Sequence, residues 1–157
     1  MSRLTLNARL LILTAAGGSA ALMLGALAFQ YLGDMPPCNL CYWQRYPHIA
    51  AVLIGIAALV LAGRLWPLLG ALAAGTTAAI ALYHTGVERG WWDGPSTCSA
   101  SGVEGLNTEE LLNQIMSAPL VRCDEVPWEM LGLSMASWNG VASLALMGIW
   151  LMAAQRS

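Results

Sequence analysis

The four cysteines of this 157-residue chain are the residues best suited to chemistry, and they occur as two pairs. Two residues separate Cys38 from Cys41, whereas Cys98 and Cys123 lie far apart along the chain. A disulfide across two residues closes a loop too small to stabilise much by chain entropy, so this spacing is more typical of redox exchange or metal binding. We therefore predict a redox-active dithiol. Four cysteines still allow three pairings.

Metal sites and bracing disulfides are the alternatives for these cysteines. A zinc site with four thiolates usually repeats the close ligand spacing in both halves, which Cys98 and Cys123 do not. Covalent haem attachment needs a histidine directly after the second cysteine, and position 42 is a tyrosine. We therefore predict no metal site. Disulfides that only brace the structure remain an alternative.

The composition predicts an integral membrane protein. The chain is 57% hydrophobic and 10% charged, its mean hydropathy is +0.60, and all seven basic residues are arginines. Crossing a hydrocarbon core of about 30 Å takes about 20 helical residues. Four apolar segments reach or approach that length: 10–32, 46–63, 65–87 and 136–154. They predict an all-α transmembrane four-helix bundle that forms a single domain over residues 1–157.

The first apolar segment has one alternative interpretation, a cleaved signal peptide. Arg3 and Arg9 precede it, and the small residues Ala26 and Ala28 resemble a cleavage site. Its apolar stretch, however, exceeds the roughly 7 to 15 residues usual for a signal peptide. We predict that it is retained as a transmembrane helix.

The charges predict the orientation of the bundle. One side would carry four arginines and no acidic residue, and the other three arginines with all nine acidic residues. Because arginine-rich short loops stay in the cytoplasm, both termini should be cytoplasmic. All four cysteines then lie outside, in loops 33–45 and 88–135. In a bacterial inner membrane that side is the periplasm, where disulfides persist.

The second outer loop contains a short predicted helix, Asn107–Ser117. It is too short to span a membrane, and its apolar residues share one face: Leu111, Leu112, Ile115 and Met116. We expect this helix to lie along the bilayer surface. Trp91, Trp92 and Trp128 are expected to anchor the loop at the interface.

Cys41 should lie at or just before the start of the second span. Arg45 follows four residues later, hence on the same helical face. A helix N-terminus and a nearby arginine both lower a thiol pKa, which predicts a reactive thiolate at the membrane surface. Arg45 could instead anchor the helix by extending to the interface. His48, beside Pro47, is predicted to pack at the interface.

Two runs of residues resemble the disulfide bond formation protein B (DsbB) family: Cys38-Asn39-Leu40-Cys41-Tyr42-Trp43-Gln44-Arg45, and Cys123-Asp124-Glu125-Val126-Pro127-Trp128 after Cys98. The stretch Gly132-Leu133-Ser134-Met135 is also similar, so the resemblance covers nearly the whole chain. It implies a quinone-dependent thiol oxidase of the bacterial inner membrane. Its partner would be a periplasmic thioredoxin-fold oxidase of the DsbA type.

The resemblance also implies a role for each residue. The partner's thiolate would attack Cys98 of a Cys98–Cys123 disulfide, and Cys123 would then attack Cys38. Cys41 would leave as a thiolate and donate to ubiquinone or menaquinone, with Arg45 stabilising the negative charge and His84 facing the quinone pocket. Gln44 stands where some relatives carry an acid. The disulfide is expected to be exposed, because exposed disulfides have the more oxidising potentials.

Overall fold

Four long helices make up most of the computed structural model, which describes residues 5–95, 98, 107–117 and 121–157. They are α1 (Leu6–Tyr31), α2 (Asn39–Val60), α3 (Leu65–Glu88) and α5 (Met135–Arg156), and the short α4 (Thr108–Ser117) precedes the last. Helix α1 packs against α2 and α5, and α3 packs against the same two helices, which closes a four-helix ring. The predicted helical bundle is therefore confirmed.

Within the described residues, a small hairpin is the one element that the prediction of an all-α fold omitted. Strands β1 (Glu129–Met130) and β2 (Leu133–Ser134) pair antiparallel. Leu131 and Gly132 connect them with φ values of 55° and 73°. Positive φ at both central residues is the requirement of the tight turn that suits a twisted hairpin. Two-residue strands are too short to produce an alternating pattern, so the sequence offered no signal for them.

Among the described residues, three helices are long and apolar enough to cross a membrane: α1, α3 and α5. Helix α2 is absent from this set and also begins at Asn39, not at residue 46 as predicted. Its first turns contain the polar residues Gln44, Arg45 and His48, which lower its hydropathy. The second predicted span, 46–63, therefore stays a prediction.

The core at one end of the bundle, which we call the terminus end because it lies near residues 5 and 156, consists mostly of small residues around Trp150. Trp150 is fully buried with Ile12 and several alanines. A Cβ atom on Gly70 would lie 2.5 Å from the Trp150 ring, so α3 and α5 approach closely only because position 70 is glycine. Small residues allow such contacts between membrane helices.

The second outer loop is described in part. The predicted short helix is confirmed as α4, with Leu112 and Met116 exposed. The side chains of Leu111 and Ile115 lie outside the described residues, so the surface-lying position of α4 stays a prediction. Trp91 and Trp92 are exposed, and the Trp128 ring lies 5.3 Å from that of Phe29. Their anchoring role likewise stays a prediction.

Candidate redox site

The four cysteines meet at the other end of the bundle, which we call the cysteine end. Cys38, Cys98 and Cys123 are buried in one cluster with Leu40 and Val87. Cys41, half-buried, packs against this cluster. Two pairs that are distant in the sequence thus form one sulfur-rich core at the end of α3.

The second pair forms a disulfide. Cys98 and Cys123 are bonded with their Cα atoms 5.2 Å apart, and the Cys123 amide donates a hydrogen bond of 2.7 Å to the Cys98 carbonyl. Both residues are 0% exposed. The expectation of an exposed disulfide is therefore wrong. The bond is covered because its apolar sulfurs pack into the cluster beside Val87 at the end of α3.

The first pair consists of two thiols at the start of α2. Cys38 is the N-cap residue, and its Sγ accepts a hydrogen bond of 3.3 Å from the Cys41 amide. The two Sγ atoms are 3.0 Å apart. Because Cys38 terminates the helix, its sulfur is held over the first turn, where Cys41 lies.

The two thiols differ in acidity, and both lie before residue 46, where the predicted span begins. The hydrogen bond between them is the largest cause of both shifts: it raises the pKa of Cys38 and lowers the pKa of Cys41. Burial raises the pKa of Cys38 further. For Cys41, burial opposes the lowering of the pKa, whereas the charge of Arg45 contributes to it. Cys41 is therefore the more acidic thiol of the pair. The sequence pointed to Arg45, but Cys38 has the larger effect.

A cavity of about 420 Å³ lies next to Cys41, bounded by the helices and the loop segments before and after them. Apolar side chains such as Leu22, Met23 and Phe29 form much of its wall. Its polar lining includes Cys41, Arg45, His48, His84 and Asn139. Pockets of this size and character are typical of small-molecule sites.

Arg45 is tied to α1 at the wall of this cavity. Its guanidinium donates to Gln30 Oε1 at 2.7 Å and to the Ala26 carbonyl at 3.5 Å. It also lies 5.2 Å from the centre of the Tyr42 ring. These contacts fix the side chain within the cysteine end, where its charge acts on Cys41.

His84 stands between the sulfurs and a buried carboxyl group. Its Nε2 lies 3.7 Å from Cys38 Sγ and 3.8 Å from Glu88 Oε1. Three atoms lie within 4.8 Å of one another: the Sγ atoms of Cys38 and Cys123 and a ring nitrogen of His84. Glu88 in turn accepts a hydrogen bond from the hydroxyl of Ser134, the N-cap of α5. His84 therefore faces both cysteine pairs.

A chain of polar groups, buried except for the half-buried Asn139, leads from His84 into the bundle, and the sequence analysis missed it. Gln44 Nε2 lies 2.8 Å from His84 Nδ1, and Asn139 Nδ2 donates to Gln44 Oε1 at 2.8 Å. His48 Nε2 lies 2.9 Å from Asn139 Oδ1. His48 is buried inside the bundle, and its predicted packing at the membrane interface stays a prediction. The available signal was a histidine and an asparagine within apolar helices, because such residues in spans are usually functional.

Comparison with known proteins gives consistent results. The family model described as "Disulfide bond formation protein DsbB" matches residues 8–153. A disulfide bond formation protein B from Alkalilimnicola ehrlichii is 35% identical over 87% of this chain and 88% of its own. One from Shewanella loihica is 34% identical over 85% and 78%. An uncharacterised protein of Rickettsia prowazekii is 25% identical over 75% and 71%. No solved structure matches this chain.

Proposed function

The chain belongs to the DsbB family of membrane proteins for disulfide bond formation, and we propose that it is a thiol:quinone oxidoreductase. It would reoxidise a periplasmic thioredoxin-fold oxidase of the DsbA type and transfer the electrons to membrane ubiquinone or menaquinone. The observation that carries this proposal is the assembly of both cysteine pairs in one buried cluster, with Cys38 Sγ, Cys123 Sγ and His84 within 4.8 Å.

The exchange steps balance with the four cysteines and the two thiols of the partner. A partner thiolate attacks Cys98 Sγ, a partner–Cys98 bond forms, and Cys123 leaves as a thiolate. Cys123 then attacks Cys38 of a Cys38–Cys41 disulfide, and Cys41 leaves with the electron pair. The second thiolate of the partner then attacks the partner sulfur that is bonded to Cys98. This step releases the oxidised partner and the Cys98 thiolate. Cys98 then attacks Cys123, restores the second disulfide and releases Cys38.

The arrangement of the cysteines supports one stage of this cycle. The second pair is a disulfide and the first pair is two thiols. In the proposed cycle, this pairing corresponds to the stage at which the electrons have reached Cys38 and Cys41 and have not yet left. The lowered pKa of Cys41 suits it as the electron donor of this stage, because the thiolate is the reactive form.

The cavity beside Cys41 fits the head group of a lipid-soluble quinone. Its volume of about 420 Å³ and largely apolar wall match such a group, and Arg45 and His84 provide polar contacts. A quinone bound there would accept two electrons and two protons. Arg45, which Gln30 holds in place, would favour negative charge on the quinone and on Cys41 Sγ.

Access to Cys98 requires a movement of the second outer loop. Cys98 is 0% exposed, so a partner thiolate cannot approach its sulfur in this arrangement. We infer that docking of the partner displaces the segment that covers the disulfide. The contacts that the partner makes would supply the free energy needed to expose the disulfide.

The location follows from the distribution of charge. We propose four spans in the bacterial inner membrane, with both termini in the cytoplasm and the cysteine end in the periplasm. Arginines without acidic residues at the terminus end support this orientation. Helix α2 would cross as the fourth span, because α1 and α3 pack beside it.

One observation favours a second candidate, a structural membrane protein whose outer loops are braced by disulfides. Buried disulfides are the class usually found in structural roles, and Cys98–Cys123 is buried. This candidate predicts that cysteine substitutions reduce the amount of protein but leave thiol oxidation elsewhere unchanged.

The test is turnover of the purified protein in detergent with a quinone and a reduced thioredoxin-fold partner. Quinone reduction is expected for the wild type and is expected to be lost in Cys41→Ser and Cys98→Ser, each of which should remain folded. If the wild type does not reduce ubiquinone or menaquinone while its disulfide persists, the structural candidate is favoured.

A further inference from the structure

We propose that Gln44 and Asn139 are positioning residues that hold the His84 imidazole as the tautomer with its proton on Nε2, directed at Cys38. The tautomer of a neutral histidine is set by the hydrogen bond that its other nitrogen makes. Here that bond runs from Gln44 to His84 Nδ1, at 2.8 Å. The question is therefore which end of the Gln44 amide faces His84.

A backbone carbonyl decides the orientation of Gln44. The Gln44 atom next to His84 also lies 3.3 Å from the Leu40 carbonyl oxygen. A carbonyl can only accept, so this atom must be the amide nitrogen, which has two protons to donate. One proton goes to Leu40 and the other to His84 Nδ1. Nδ1 then accepts, and the proton of the imidazole is on Nε2.

The orientation of Asn139 is decided in the same way through Thr77. The Thr77 hydroxyl donates to the backbone carbonyl of Gln44 at 3.0 Å, so the Thr77 oxygen remains free to accept a hydrogen bond. Asn139 lies 3.3 Å from that oxygen and must present its amide nitrogen there. The second proton of the same nitrogen goes to Gln44 Oε1 at 2.8 Å.

The far end of the chain agrees with this assignment. Asn139 Oδ1 accepts from His48 Nε2 at 2.9 Å and from the Ser143 hydroxyl at 3.4 Å. If both amides were reversed, Gln44 would set an oxygen against the Leu40 carbonyl, and Asn139 would set one against Thr77. Each reversal places two acceptors in contact within a buried site, which costs the desolvation of both.

The consequence is a fixed N–H group among the sulfurs. His84 Nε2 lies 3.7 Å from Cys38 Sγ, 3.8 Å from Glu88 Oε1 and close to Cys123, and in this tautomer it is a donor toward that group of acceptors. If the proposed exchange function holds, this donor lies beside the sulfur at the centre of the Cys123–Cys38–Cys41 exchange, where negative charge spreads over three atoms. In this tautomer Nε2 has no free lone pair.

The direct test is nuclear magnetic resonance of the full chain, labelled with ¹⁵N in its histidines, in detergent micelles. The chain has only two histidines, and His84→Gln assigns the signals by subtraction. In the wild type, His84 Nε2 is expected to show the one-bond coupling to hydrogen, and Nδ1 is expected to show none. Coupling on Nδ1 alone, or on both nitrogens, would overturn the proposal.

Two variants test the hydrogen bonds that run from Asn139 through Gln44 to His84, without altering His84 itself. In Gln44→Glu a carboxylate faces Nδ1, so the coupling is expected to move from Nε2 to Nδ1. In Asn139→Asp the new carboxylate repels Gln44 Oε1 and turns that amide, and the coupling is expected to move in the same direction. Retention of the wild-type coupling in both variants would show that the network does not set the tautomer.

Adjacent threonines provide a matched pair if the Asn139 variant does not fold. Thr77→Val removes the acceptor of Asn139 and should produce a mixture of His84 tautomers. Thr76→Val removes a hydroxyl that donates to the Leu72 carbonyl on the exposed face and should leave the coupling unchanged. Equal spectra for the two variants would contradict the proposal. No partner or quinone is present in these measurements, so they stand apart from the test of oxidase activity.

Discussion

The two ends of the bundle hold their helices together in different ways. At the terminus end, Trp150 packs on Gly70, and alanines fill the space around it. At the cysteine end, contacts between helices include hydrogen bonds of Gln44 and Asn139 as well as apolar packing. Packing of small residues fixes distances between helices, whereas hydrogen bonds also fix which atom faces which. Fixed atom positions at the cysteine end suit the chemistry proposed there, whereas the terminus end needs only close packing.

The largest effect on stability is expected at the terminus end, from Gly70→Ala. The new methyl group would overlap the Trp150 ring, so α3 and α5 would have to separate. Overpacking of this kind costs about 1–3 kcal/mol of unfolding free energy. Thermal unfolding in detergent measures it.

Gly17→Ala is the matched control for this substitution. A Cβ atom at position 17 meets nothing within 4 Å. Its unfolding temperature should equal that of the wild type or slightly exceed it, because alanine favours helix over glycine. Equal losses in both variants would mean that the terminus end is not closely packed.

The next effect concerns function at the cysteine end, from Arg45→Gln. Loss of the charge at the cavity should weaken quinone use about tenfold, which corresponds to about 1.4 kcal/mol. Exchange with the partner should change less, because Cys98 and Cys123 belong to another loop. Separate assays of quinone reduction and partner oxidation measure the two.

Arg45→Lys sharpens this prediction by keeping the charge. A lysine cannot reproduce the planar contacts with Gln30 and the Ala26 carbonyl. Quinone use should therefore fall between that of the wild type and that of Arg45→Gln. If Arg45→Gln reduces both half-reactions equally, Arg45 supports the fold and not the quinone step.

The smallest effect is a change in acidity, from Cys38→Ala. Removal of the Cys38 thiol removes the largest cause of the lowered pKa of Cys41, so that pKa should rise. The thiolate fraction at neutral pH then falls, and alkylation of Cys41 becomes slower. The pH dependence of the alkylation rate measures it, with Cys98–Cys123 kept oxidised.

Cys38→Ser is the control for acidity, since a hydroxyl can still donate to Cys41. Its alkylation midpoint should lie closer to that of the wild type than the midpoint of Cys38→Ala does. An unchanged midpoint in Cys38→Ala would mean that Arg45 and the helix N-terminus alone set the acidity of Cys41.

Apolar length and cysteine spacing predicted much of this molecule. Segments 10–32, 65–87 and 136–154 correspond closely to α1, α3 and α5, because an uninterrupted apolar stretch is a strong signal. The start of α2 was placed too late, because its first turns are polar. Those polar residues are the ones that face the bundle interior.

The polar network could not be predicted from the sequence. The residues Gln44 and Asn139 are 95 positions apart and belong to helices whose relative rotation no sequence pattern specifies. Burial of the Cys98–Cys123 disulfide was missed for a related reason. The disulfide packs against residues from separate parts of the chain, among them Cys38, Leu40 and Val87.

The burial of Cys98 and Cys123 also has a consequence for selectivity. In an oxidase of the proposed kind, an exposed disulfide would oxidise any small thiol that reaches it. Each such reaction would reduce a quinone without oxidising the partner protein. A covered disulfide is insulated from these reductants. In such an oxidase, only a protein that binds the loop and exposes the disulfide would be oxidised, so the shape of the binding surface would select the electron donor before any sulfur reacts.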